Sequence, residues 1–202
     1  MVRGDARAAR VLALVVVIPA VSGLVAAVVA DVIAGGGKEA LVIERLSAVV
    51  VVNTVVAALA HLGAFAATFH LARSRHFSSS PMAQPALIFA LLRLGGPVMS
   101  AVGLVWPVWH QPLLGFAVAL MDVAFIASTL LLVAPTYAQR APRLAGAALC
   151  YSVYRLFFAL GSFMPDPWIE PMFVAHRLVS VVVVAVVCGC FLGAARRMQA
   201  LP

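Results

Sequence analysis

Six apolar runs, at residues 11–33, 46–72, 85–108, 113–134, 144–164 and 172–195, leave this chain few folds to choose from. A helix needs about 20 apolar residues to cross the roughly 30 Å hydrocarbon layer of a bilayer, and every run meets that length. Backbone polar groups find no partners in lipid, so each run has to satisfy its own by forming a helix. The runs therefore predict an all-α, polytopic integral membrane protein, a six-transmembrane-helix bundle. Hydrophobic residues make up 64% of the chain and charged residues only 10%, leaving no tract polar enough for a separate soluble domain. Residues 1–202 thus read as one transmembrane domain. The first run exceeds the roughly 7–15 apolar residues of a signal peptide and is read as a span.

The loops give an independent check on the count. Arg3, Arg7 and Arg10, then Arg73 and Arg75, then Arg140 and Arg143, then Arg196 and Arg197 fall on one side of a six-span topology. The opposite loops hold Lys38 and Arg45 among Asp31, Glu39, Glu44, Asp166 and Glu170. Positive residues favour the cytoplasmic side, so both termini are expected there. The net charge of +7 is spread over helix ends, where it meets anionic membrane lipids, and predicts no nucleic-acid partner. Ala-, Val- and Arg-rich usage points to a bacterial protein, and hence to a multi-pass protein of the bacterial cytoplasmic membrane. The three cysteines fall inside apolar runs without a CxxC or a paired extracellular framework.

Polar residues inside the runs are the candidate functional groups, since lipid makes them costly. From the outer helix ends, Asn53 lies roughly 10 Å deep, Asp122 and Arg155 roughly 13 Å, and His176 roughly 6 Å, at about 1.5 Å per residue. These four residues form an outer polar layer. Asp122 is the sole carboxylate well inside a run, and Arg155 is its expected partner, either as a ligand site or only to fix helix register. Tyr151 and Arg155 share a helix face that continues through Phe158 and Ser162, with Tyr154 beside it. An aromatic wall next to a guanidinium suits a lipophilic small molecule with an anionic or carbonyl head. His61 and Arg93 form a thinner inner layer, either flanking the inner end of a cavity or serving as a core histidine and an arginine that caps the carbonyls of a kink at Gly95, Gly96 and Pro97.

The resulting expectation is a membrane-embedded enzyme acting on an isoprenoid, quinone or lipid-type substrate in an outward-opening pocket. Asp122, Arg155 and His176 are the candidate catalytic residues, with Asp122 as acid or base. Asn53, Tyr151, Tyr154 and Phe158 are the candidate substrate-binding residues. A small-molecule or weak-acid transporter and a non-catalytic membrane subunit remain as alternatives, the latter with an oligomer or partner chain packed on the Val-rich runs. No repeat relates the two halves of the chain, which weakens an inverted-repeat transporter. A b-type cytochrome needs two histidines at matching depth on different helices, and His176 matches only His110, which sits in a turn. Glu44, His110, Asp166 and Glu170 share one side, but their spacing fits no metal motif, and no metal or other cofactor is specified. HExxH, GxSxG, P-loop and dinucleotide fingerprints are absent from the sequence.

Overall fold

A computed structural model of the chain describes residues 2–36, 39–95, 112–134, 141–160 and 166–200. The described residues form helices α1 (Val2–Gly36), α2 (Glu39–Arg73), α3 (Ala83–Arg93), α4 (Pro112–Val133), α5 (Ala141–Leu160) and α6 (Asp166–Gln199). Helices α1, α2, α4, α5 and α6 are long and apolar enough to cross a membrane, as expected of a multi-pass membrane protein. Helix α3 has 11 residues and corresponds to the first part of the third apolar run. The remainder of that run, with Gly96 and Pro97, lies outside the described residues.

Three helices outrun their apolar cores. With 35, 35 and 34 residues, α1, α2 and α6 are longer than their apolar runs. At 1.5 Å per residue each is roughly 50 Å long, so its ends reach the headgroups and water. Asp5 stands in the first turn of α1, and Arg196 and Arg197 stand in the last turn of α6. Each sign complements the helix dipole at its own end.

The packing order closes a ring. Helix α1 lies against α2 and α6, α6 against α5, α5 against α4, α4 against α3, and α3 against α2. The Arg10 Nη2 group donates to Gln199 Oε1 at 2.7 Å, and His70 Nε2 lies 3.1 Å from Asp5 Oδ1. Both chain termini and the α2–α3 turn therefore share one end of the bundle.

Among the described residues, that terminal end holds most of the tight packing. On α1 the buried hydrophobic residues run from Ala6 to Val16, and on α2 from Ala60 to Leu71. Phe77 of the α2–α3 turn, Leu144, Phe191 and Met198 complete the same region. Many of these positions are alanine, and small residues let helices approach closely where lipid supplies no hydrophobic drive between them. Towards the far end, Val21, Val25, Val28 and Val32 of α1 and Leu178, Val181 and Val182 of α6 are exposed, as a lipid-facing surface requires. A further polar contact across the α1–α2 seam lies away from that end: Ser22 Oγ donates to Asn53 Oδ1 at 2.8 Å.

The shared end is open to a direct test. In a cysteine-free background, Ser79→Cys and Ala200→Cys should react with a membrane-impermeant thiol reagent from the same face of sealed vesicles. Labelling from opposite faces would contradict six crossings.

Candidate intramembrane binding site

Near the middle of the bundle three helices meet through charge. Arg93, in the last turn of α3, gives its Nε–H to Asp122 Oδ1 at 2.8 Å. Arg155 of α5 gives an Nη2–H to Asp122 Oδ2 at 2.5 Å. Each oxygen of the one α4 carboxylate thus carries a guanidinium from a different neighbour. The side chains of Arg93, Asp122 and Arg155 are 10%, 14% and 26% exposed, so Arg155 is the most accessible of the three. The Arg93 guanidinium also lies 4.7 Å from the centre of the Phe125 ring, a cation–π contact that helps keep it in an apolar setting.

Three hydroxyls of α4 and α5 are satisfied within their own helices. Thr129 Oγ1 and Ser128 Oγ donate to the Phe125 carbonyl, and Ser152 Oγ donates to that of Ala148. Such back-bonding lets a hydroxyl sit in lipid without a partner on another helix.

Beside the charged cluster is a cavity of about 420 Å³. Its polar side consists of Arg93, Asp122, Tyr151, Tyr154, Arg155, His176 and Ser180, and its apolar side of Val16, Pro19, Ala20, Gly23 and Leu24 on α1 with Ile126 and Val184. Tyr154 and His176 stack with ring centres 5.3 Å apart and planes 4° from parallel. Their polar tips, Tyr154 Oη and His176 Nε2, stand 3.5 Å apart. Phe158 packs on both rings, with centres 5.5 Å from Tyr154 and 4.8 Å from His176.

Five residues singled out in the sequence, Asp122, Arg155, His176, Tyr151 and Tyr154, line this one cavity. Phe158 stands behind the Tyr154–His176 wall and is not itself in the lining. Asn53, expected among the substrate-binding residues, stands outside the lining, with its amide oxygen on Ser22. An amide in lipid takes the nearest hydroxyl, and here that lies on the adjoining α1. His61 is also outside the lining.

The expected kink at Gly96 and Pro97 lies outside the described residues, whereas Arg93 ends on the Asp122 carboxylate and lines the cavity. Its Cα depth misled, because roughly 12 Å from one face and roughly 13 Å from the other leave only about 5 Å of a 30 Å layer between it and Asp122. An arginine side chain easily covers that gap.

Among the described residues no group of three or more His, Cys, Asp or Glu side chains could hold a metal ion. The side chains of Glu44, His110, Asp166 and Glu170 lie outside what is described, as do those of Ser162 and Arg177. The fold and cavity define an all-α membrane protein with a cationic pocket among its helices. No protein-family profile, no curated protein and no solved structure matches the chain.

Removing one partner of a buried ion pair costs roughly 3–5 kcal/mol, because the other charge is left uncompensated. Asp122→Asn should therefore be strongly destabilising, as read from denaturant unfolding in detergent. Adding Arg93→Gln removes one of the two stranded charges and should recover part of the loss. Equal stability of Asp122→Asn and wild type would show that the carboxylate does not hold these helices.

Proposed function

We propose that the protein is a membrane-embedded enzyme of the bacterial cytoplasmic membrane that acts on a lipophilic small molecule held in the cavity between α1 and the α4–α6 wall. The supporting observation is the cavity itself, with guanidinium and aromatic groups on one side and an apolar α1 face on the other. Its volume falls within the roughly 300–1,000 Å³ typical of small-molecule sites. In this reading both termini are cytoplasmic, which places the cavity nearer the outer face.

The residues take separate roles. Both Asp122 oxygens already accept guanidinium N–H groups, and taking up a substrate proton would weaken both of these charge-assisted bonds. Asp122 is accordingly assigned the holding of Arg93 and Arg155, a change from the acid or base expected of it. Arg155 orients the substrate head. Tyr154 and His176, with their polar tips facing each other, are the pair suited to exchange a proton with a bound substrate.

The same cavity supports a second reading, a carrier in which the pocket holds a cargo.

Gly23 supplies a clean test, because a Cβ built on it meets nothing within 4 Å and a larger side chain would enter the cavity. Wild-type protein should co-purify with a lipophilic molecule enriched over bulk membrane lipid, and Gly23→Phe should lose it at unchanged thermal stability. Incubated with a total lipid extract, wild type should convert at least one mass that His176→Ala leaves unchanged. Enrichment with no conversion would favour the carrier, and no enrichment at all would overturn both readings.

A further inference from the structure

Charge within the cavity is unbalanced. Counting histidine as neutral, the described lining carries Arg93 and Arg155 against Asp122 alone, or two positive charges less one negative, leaving +1. A bare charge at this depth in a membrane protein is expensive, and polar groups there are normally matched by a partner. Resting on the reading of the cavity as a lipophile site, we propose that its ligand carries a monoanionic oxyanion head, a carboxylate or a phosphodiester, bound by Arg155.

Three features converge on that head. The first is stoichiometry: one negative charge brings the lining to neutrality, a neutral quinone or alcohol leaves +1, and a phosphate monoester dianion leaves −1. The second is access. The Arg155 side chain is 26% exposed and that of Arg93 is 10%, so the cation that meets a ligand is Arg155, while Arg93 and Asp122 position it. The third is donor supply. Asp122 takes one Arg155 Nη2–H and leaves the other N–H groups of a partly exposed guanidinium. A guanidinium offers five N–H groups in a fixed fork, enough to hold one carboxylate and grip a second oxyanion.

The cavity also gives the ligand a direction. Its charged residues come from α3, α4 and α5, whereas the α1 lining of Pro19, Ala20, Gly23 and Leu24 carries no polar side chain. The head lies at Arg155 and the apolar tail runs along α1.

Binding of three fluorescent probes with the same acyl chain tests this, using the full-length protein in nanodiscs. The probes are a fatty acid, its methyl ester and a lysophosphatidylglycerol. At least one of the two anions should bind saturably and at least tenfold more tightly than the ester. Which anion binds better separates a carboxylate ligand from a phosphodiester lipid. Arg155→Gln should weaken the preferred anion at least tenfold and leave the ester unchanged, and Arg155→Lys, which keeps the charge, should restore part of the loss. Should Arg155→Gln not fold, the acid-to-ester ratio of the wild type decides alone. An ester that binds as tightly as both anions, and is lost in Gly23→Phe, would overturn the anionic head while leaving the lipophile site standing. Binding of all three probes that Gly23→Phe does not alter would overturn the site as well.

Discussion

A charge placed in the middle of a bilayer must find a counter-charge, and the Arg93–Asp122–Arg155 cluster is how this chain meets that demand. Its consequences extend beyond the three residues. The carboxylate belongs to α4 and the guanidiniums to α3 and α5, so one electrostatic knot fixes three consecutive helices of the ring at a common depth. Helix α3 is the shortest of the described helices, and its last turn supplies Arg93 to the knot. The Ser22–Asn53 bond performs a smaller version of the same task for α1 and α2. Interhelical hydrogen bonds of that kind average only about 0.6 kcal/mol in membrane proteins, well below the cost of a stranded charge.

Around the knot the bundle divides into two regimes. Alanine-rich seams close the terminal end, where Ala6, Ala9, Ala64, Ala86 and Ala194 are nearly or fully buried. Beyond the knot the exposed described residues of α1 and α6 are mainly valine and leucine, and the cavity lies between α1 and the α4–α6 wall. Packing at one end and charge at the middle leave room between them that side chains do not fill. The aromatic stack of Tyr154, His176 and Phe158 forms the wall on the α5–α6 side of that room.

The long spans were legible in the sequence because bilayer thickness dictates run length, a constraint independent of neighbours. Helix ends were not, since α1, α2 and α6 continue as helices after their apolar runs stop, and nothing in hydropathy marks where water-exposed turns fray. The same blurring displaced depth estimates counted from run ends. His176 was placed roughly 6 Å in, yet α6 begins at Asp166, and ten residues further along the helix is roughly 15 Å. Asp122 with Arg155 was readable because one deep carboxylate has few possible partners. The contact of Arg93 with Asp122 was not, because Cα depth takes no account of side-chain reach, and neither was the Ser22–Asn53 bond, because the order of helices around the ring cannot be read from hydropathy.

One intramembrane carboxylate holds two arginines. Solid-state NMR of the protein in lipid bilayers, labelled with ¹³Cγ-aspartate and ¹⁵N-arginine, reads it most directly. A carboxyl carbon whose signal disappears in Asp122→Asn should show dipolar coupling to two guanidinium groups, one lost in Arg93→Lys and the other in Arg155→Lys. Coupling of that carbon to a single arginine, or to none, would contradict the account.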